Sequence, residues 1–295
     1  MIRDDAIARK WLTGVELSNT RAEAIDGETG EPPSQQKLAK EMGVTRGLIG
    51  HWEQGRYFPQ PDQIRQWYNL CTASLEAAER LIEFGRPDQS STTSWLDRWK
   101  DVVPGDHFMR RYVGAEGIAT HVFYYAQMFI PALLQEADYA LAVTAPSARV
   151  EPGKANRLVD FRMFRQERVL NGSLGLTVVI EEDALDRPIL DRDGMRKAWR
   201  RLLEFSEQDN VDVRILPREV GRHDGLEGRF QFASFCTPDG QVQAGPVAYI
   251  EVPNSALYVT TRAGVTQYTD SSTDLAAKAL SDNAARKAIE ERLAA

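Results

Sequence analysis

Five residues that can approach or hydrogen-bond to another molecule stand close together in the stretch GVTRGLIGHWEQG. Arg46, His51 and Gln54 carry polar side chains, and Gly47 and Gly50 lie between them. An arginine can bond to both O6 and N7 of guanine, and histidine and glutamine can bond to base edges or phosphates. Each glycine costs about 1 kcal/mol in a helix relative to alanine. A close approach of the helix backbone to DNA would account for both glycines.

Two short helices joined by a tight turn are predicted to position these side chains. The first helix runs from Ser34, a capping residue, to Met42. Gly43 supplies the turn, and the second helix runs from Thr45, again a capping residue, to Gln54. The apolar side chains that can pack between the helices are Leu38, Met42, Ile49 and Trp52, with the small Ala39 at the close approach. This is the pattern of a helix-turn-helix, whose second helix reads the major groove with its N-terminal residues.

The first helix and the residue after the second helix add candidate phosphate contacts. Gln35 and Gln36 begin the first helix, where backbone N–H groups and the helix dipole favour an anion. Arg56 suits a contact with the DNA backbone. The complete set of predicted DNA-binding residues is Gln35, Gln36, Thr45, Arg46, Gly47, Gly50, His51, Gln54 and Arg56. The alternatives are a helical hairpin with no nucleic-acid role and, for His51 alone, a solvated surface side chain.

Composition restricts the class of protein. The chain has 295 residues, 42% of them hydrophobic, and a formal net charge of −7, so a DNA-binding function must rest on a local module. Between residues 34 and 69 there are five basic and three acidic residues, a local charge of +2. The two cysteines, far apart in sequence, form no disulfide framework or CxxC pattern. With no apolar signal core and no membrane span in the sequence, we expect a cytoplasmic protein.

The chain divides into two predicted domains of different character. We expect an all-α helix-turn-helix domain at 1–85, a linker at 86–107 and a larger α+β domain at 108–295. Residues 95–172 are expected to be mostly helical, including the run HVFYYAQMFI. Strand signals follow in LGLTVVIEE, VDVRILPRE, GRFQFASFCT and VAYIEVPNSALYVTT, and the chain ends in helix. These strands predict one mixed or antiparallel sheet flanked by helices.

The larger segment contains few residues with the spacing of a catalytic or metal site. It has no HExxH, GxSxG, phosphate-binding loop or GxGxxG pattern, so we expect neither an enzyme nor a cofactor nor a metal. Cys236, on a predicted strand, is interpreted as a small apolar core residue. The glycine-rich stretch GRHDGLEGRF carries His223, Asp224 and Glu227, which form either a plain turn or a contact with a ligand or partner.

The stretch QQKLAKEMGVTRGLIGHWEQGR resembles the helix-turn-helix of the XRE family, the phage repressor and Cro type. The matching residues are Gln35, Leu38, Ala39, Gly43, Val44, Thr45, Ile49, Trp52, Glu53 and Gly55, followed by Pro59. The resemblance implies that Glu53 pairs with an arginine of the family's first helix, which precedes the two helices described above and for which Arg21 is the candidate. The connection DGETGEPP before the motif is longer than is usual in that family.

Residues from about 108 to 293 resemble a C-terminal domain of poorly defined function that follows XRE-type modules in many regulators of high-GC bacteria. The blocks that carry this resemblance include IPALLQEADYALA, FRMFRQERVL, LTVVIEEDALDRPI, VDVRILPREVGRHDGLEGRFQFASF and KALSDNAARKAIEERL. Asp186 stands where that family often has a basic residue. The resemblance implies a transcriptional regulator, often encoded beside a small partner protein in an antitoxin-like arrangement.

These observations predict a sequence-specific regulator that binds a double-stranded DNA operator as a homodimer. Its α+β domain is expected to dimerise and to sense a small-molecule effector or a small partner protein. One alternative is an antitoxin-like interaction module that acts mainly through such a partner. A hydrolase is the remaining alternative.

Overall fold

The structure of the protein is a computed structural model that describes residues 5–86, 94–104, 108–147, 150–252 and 255–294. Its N-terminal part is helical, as predicted. The five helices there are α1 (Ala6–Glu23), α2 (Gln35–Met42), α3 (Arg46–Glu53), α4 (Pro61–Leu70) and α5 (Leu75–Gly85). No described helix of the chain combines the length and the apolar character that a membrane span needs.

The turn between α2 and α3 is formed by the residues that the sequence indicated. The hydroxyl of Ser34 accepts a hydrogen bond from the N–H of Lys37, and that of Thr45 accepts one from the N–H of Leu48. Both side chains thereby satisfy helix N–H groups that have no partner within the helix. Gly43 ends α2 with φ of 68°, a conformation that other residues rarely adopt. The predicted caps and turn are confirmed.

The larger part of the chain is an α+β domain built on one mixed six-stranded sheet. Its strands are β1 (His121–Ala126), β2 (Gly175–Glu181), β3 (Val211–Leu216), β4 (Phe230–Cys236), β5 (Val242–Val252) and β6 (Ser255–Val259). The strand order is β3-β2-β1-β4-β5-β6. The first three strands are parallel, and the other three pair antiparallel. The predicted fold class, with a mixed sheet, is confirmed.

Strand β1 corrects the expectation that residues 95–172 are mostly helical. The run HVFYYA forms a central strand between β2 and β4. Val122 packs into the core on one face of the sheet, and Phe123 and Tyr125 pack into the core on the other. Because both faces are buried, the strand lacks the polar and apolar alternation that marks a half-exposed strand. Its short apolar run therefore cannot be told from a buried helix by periodicity.

Helices cover both faces of the sheet. They are α6 (Arg110–Ile118), α7 (Ala137–Thr144), α8 (Ala155–Leu170), α9 (Glu182–Asp186), α10 (Arg192–Ser206), α11 (Arg262–Lys278) and α12 (Asp282–Ala294). Short 3₁₀ helices lie at Trp95–Trp99, Ala132–Leu134, Arg218–Val220 and Asp224–Glu227. One face of the sheet packs on the main core, and α11 covers the other, where Leu275 joins Phe230 and Phe232.

The main core is continuous between the N-terminal helices and the α+β domain, and α1 forms much of the junction. The ring of Trp11 lies edge-on to that of Tyr258, with centroids 5.3 Å apart. The side chain of Asn19 donates to the carbonyl of Thr260 at 2.8 Å. The carboxylate of Glu16 accepts a hydrogen bond from the N–H of Gly245 at 3.1 Å. The two parts of the chain are therefore packed together in this structure.

The predicted linker at 86–107 is described in part. Residues 87–93 and 105–107 lie outside the described residues. In the stretch 94–104, the buried ring of Trp99 packs against Phe161 of α8, with centroids 5.1 Å apart. This stretch is thus part of the packed structure and adds aromatic surface to the core of the α+β domain.

Candidate nucleic-acid interface

Helices α2 and α3 are held by an apolar seam that leaves polar side chains on the outside. Leu38 and Ala39 of α2 and Ile49 and Trp52 of α3 are all at most 2% exposed. The ring of Trp52 also lies against Trp67 of α4. These burials fix which side of α3 faces the core, because residues three and four apart share one face of a helix.

The predicted DNA-binding residues lie on the surface or close to it. Exposed are Gln36, Thr45, Arg46, Gly47, Gln54 and Arg56, and half-buried are Gln35, Gly50 and His51. The ring of His51 contacts that of Tyr57 edge-on, with centroids 5.3 Å apart. The hydroxyl of Thr45 is used as a cap, and the amide of Gln35 donates to Glu53 at 2.6 Å. Those two side chains thus have partners within the protein.

The N-terminal ends of α2 and α3 open on one surface pocket of about 470 Å³, which also includes an arginine of α1. Its lining residues are Arg21, Ser34, Gln35, Gln36 and Arg46. Among the described residues, the backbone N–H groups of Gln35, Gln36 and Gly47 have no acceptor. Unpaired N–H groups at helix N-termini beside the guanidinium of Arg46 form an environment suited to an anion. The second guanidinium of the lining, that of Arg21, is paired with Glu53.

The two glycines of α3 are not required by packing within the chain. A Cβ built on Gly50 would meet nothing within 4 Å, and one on Gly47 would meet only the Thr45 hydroxyl at 3.9 Å. Gly14 differs, because its Cβ would lie 2.4 Å from the carbonyl oxygen of Trp52. Gly14 is therefore needed for the contact between α1 and α3, whereas there is open space for a side chain at Gly47 and Gly50.

Glu53 of α3 is bonded to side chains of both α1 and α2. Its carboxylate accepts hydrogen bonds from Arg21 at 2.5 and 3.1 Å, in a two-pronged ion pair. The predicted pairing of Glu53 with Arg21 is confirmed. Lys37 of α2 forms ion pairs with Asp26 and Glu28 in the long connection between α1 and α2. These ion pairs tie the connection to α2.

The candidates in the α+β domain are not brought together as a group. His223 is only 4% exposed, and its Nε2 lies 3.2 Å from Glu181. Asp224 and Glu227 are exposed, and Asp224 pairs with Arg222. Neither carboxylate forms an ion pair with His223, whose partner in the described part of the chain is Glu181.

The imidazole of His223 instead joins a cluster that sequence reasoning missed. The hydroxyl of Tyr125, at the end of β1, donates to the same oxygen of Glu181, at the end of β2. Burial and the Glu181 carboxylate raise the pKa of Tyr125. Parallel strands bring their carboxyl ends to one edge of a sheet, but this signal can be used only when β1 is recognised as a strand, which its apolar run does not allow.

The carboxylates that follow β2 are paired with arginine side chains. Glu182 and Asp186 accept hydrogen bonds from Arg292 of α12, and Asp183 pairs with Arg218. No group of three or more histidine, cysteine or carboxylate side chains in the described ranges has the geometry of a metal site. Cys236 lies on β4, as predicted, but it is partly exposed, which corrects its interpretation as a core residue.

Comparison with protein-family models identifies a family for most of the α+β domain. Residues 109–291 match the family described as Domain of unknown function (DUF5753). No curated protein matches the chain significantly. The matched range agrees with the C-terminal part of the resemblance, at about 108 to 293, and contains the whole mixed sheet. Because that range covers more than half of the 295 residues, the chain belongs to the DUF5753 family.

Proposed function

We propose that the protein is a sequence-specific DNA-binding regulator of transcription, in which α3 enters the major groove. The observation that carries the proposal is the pocket lined by Arg21, Gln36 and Arg46 at the N-terminal ends of α2 and α3. A DNA phosphate at this point would meet unpaired N–H groups and the guanidinium of Arg46, which forms no ion pair with a described residue. Arg46, at the first position of α3, would then lie beside the base edges.

The glycines of α3 support the same orientation. With no side chain at Gly47 and Gly50, the helix backbone can lie closer to the floor of a groove than most residues would allow. Their helix cost of about 1 kcal/mol each has no compensating contact within the described chain. A DNA surface against this side of α3 would supply one.

We propose that the α+β domain makes the protein a homodimer, because a single helix in a single groove reads few bases. Two apolar side chains at the outer end of the sheet support this role. Leu257 of the edge strand β6 is 55% exposed, and Val252 of β5 is 40% exposed. The same surface favours the second candidate function, an antitoxin-like module that binds a small partner protein.

The first test is fluorescence anisotropy with labelled duplexes from upstream of the gene and with shuffled duplexes of equal composition. Selective binding that weakens steeply with salt is the expected result. Arg46→Ala should lower the preference for the specific duplex by about 1–3 kcal/mol, while Arg222→Ala, a change at an exposed arginine of the α+β domain, should not. Equal binding of both duplexes by the wild type would contradict the proposal.

The second test measures the mass of the protein in solution by light scattering. A dimer in the wild type that dissociates on Leu257→Asp is expected if the edge of the sheet is the dimer contact. A wild-type monomer that still binds DNA selectively would remove dimerisation from the proposal and favour a partner protein for that surface.

A further inference from the structure

A second pocket lies at the junction between the helix-turn-helix and the α+β domain. It has a volume of about 470 Å³, which is within the usual range for small-molecule sites. Trp11 and Val15 of α1 form its apolar wall, Gln54 and Arg56 enter from the end of α3, and Arg111 of α6 and Thr260 enter from the α+β domain. The hydrogen bond from Asn19 to Thr260 joins two of these walls.

The charges around this pocket leave an excess of positive charge. Arg56 and Arg111 are exposed, and neither forms an ion pair with a described residue. The one carboxylate in the lining, Glu53, is already paired with Arg21 at 2.5 Å. Two uncompensated guanidinium groups beside one neutralised carboxylate favour an anionic ligand.

The apolar wall of the pocket indicates that such a ligand also carries an apolar group. The guanidinium of Arg111 lies 5.9 Å from the ring centre of Trp11. An organic group placed against Trp11 and Val15 would therefore carry its anionic end close to Arg111.

We propose that this pocket binds a small organic anion, in which a carboxylate or phosphate is joined to an apolar group. The anionic end pairs with Arg56 and Arg111, and the apolar end packs on Trp11. The ligand would thus contact both the end of the helix-turn-helix and the α+β domain, so its binding is sensitive to how the two parts are arranged.

One consequence rests on the function proposed above. Arg56 is also a candidate contact for a DNA phosphate, and a side chain held by a ligand cannot at the same time neutralise the DNA backbone. The ligand and the operator would then weaken each other's binding by the same factor, as thermodynamic linkage requires.

The test is isothermal titration calorimetry of the full chain without DNA, with 1-naphthyl phosphate and 1-naphthoate as separate probes. The wild type should bind at least one probe, and the stronger of the two identifies the preferred anionic group. Arg111→Ala should weaken binding at least about tenfold, whereas the matched change Arg222→Ala should leave it unchanged. Circular dichroism checks that each variant is folded.

Absence of binding of both probes, or equal binding by the wild type and Arg111→Ala, would overturn the proposal. A second arm repeats the anisotropy measurement with the bound probe present, where lower operator affinity is expected in the wild type and not in Arg111→Ala. If the protein binds a probe but does not bind DNA selectively, the ligand site stands and the function proposed above is rejected. If Arg111→Ala weakened DNA binding but not probe binding, Arg111 would be a DNA contact and the ligand site would be rejected.

Discussion

Arg21 and Glu53 form a two-pronged ion pair that joins the last turn of α1 to the last residue of α3. The two guanidinium nitrogens lie 2.5 and 3.1 Å from the two carboxylate oxygens, and the side chains are 18% and 8% exposed. Gln35 donates to the same carboxylate at 2.6 Å. Through Glu53, the orientation of α3 is thus coupled to α1, which packs on the α+β domain.

The first prediction concerns this pair. Glu53→Gln and Arg21→Gln should each lower the free energy of unfolding by about 2 kcal/mol, because each leaves a partly buried charge without its partner. In a double-mutant cycle measured by urea denaturation, the pair should show a coupling of about 1–2 kcal/mol. Strictly additive effects would mean that the two residues act independently, contrary to the observed geometry.

The second prediction compares two glycines. Gly50→Ala should raise the free energy of unfolding by about 0.5–1 kcal/mol, because the added Cβ meets nothing and alanine favours the helix. Gly14→Ala should lower it by about 1–3 kcal/mol, because its Cβ would lie 2.4 Å from the Trp52 carbonyl oxygen. Urea denaturation of both variants gives the two values.

Gly50 also allows the effect of a substitution on DNA binding to be measured separately from its effect on stability. If α3 lies in a groove, Gly50→Leu should keep the protein folded and weaken its binding to DNA in the anisotropy measurement. A folded Gly50→Leu variant with unchanged DNA affinity would place this side of α3 away from DNA.

The third prediction concerns a buried ion pair in the α+β domain. Arg165 of α8 donates to Glu116 of α6 at 2.7 and 2.6 Å, and both side chains are less than a tenth exposed. Glu116→Gln should lower the free energy of unfolding by about 3 kcal/mol, since the Arg165 charge stays buried without its counter-ion. The control is Glu204→Gln, which breaks a surface pair with Arg201 and should cost less than about 1 kcal/mol.

The fourth prediction concerns pH. Burial disfavours the charged form of Asp186, but hydrogen bonds from Arg292 and Arg218 outweigh it and hold the pKa of the carboxyl below its usual range. The depressed pKa means that the ion pairs stabilise the fold above the pKa of an unfolded aspartate, about 3.9. This contribution is lost as the pH falls through the lower pKa of the folded state.

Asp186→Asn should therefore lower the melting temperature at pH 7. The difference between the wild type and the variant should shrink on acidification and vanish once Asp186 is protonated in the folded wild type. Calorimetric melting curves from pH 7 to the acid limit of the fold test this. A difference that does not change with pH would assign the effect to packing instead of charge.

Helices α2 and α3 and the turn between them could be predicted because their signals are local. Ser34 and Thr45 each cap a helix through the N–H three residues later, and Gly43 needs no distant partner to adopt a positive φ. The pairing of Glu53 with Arg21 came from the family resemblance, and the structure agrees with it. The later strands were recognisable because aromatic and β-branched residues recur between turn residues.

Strand β1 and the cluster at its end could not be predicted in the same way. A strand buried on both faces has no alternation in its sequence, and its place between β2 and β4 depends on residues more than 50 positions away. Because the sequence does not identify β1 as a strand, it does not indicate that Tyr125, Glu181 and His223 meet at one edge of the sheet.

The sequence by itself therefore determined the local elements: the caps, the turn, the polar face of α3 and the membership of the C-terminal part in a family. Only the tertiary structure decided which distant groups share a site. The pocket between Arg56 and Arg111 exists because α1 packs at once on α3 and on the α+β domain. Such packing depends on the complementary shapes of surfaces from separate segments, and no pattern within either segment specifies that fit.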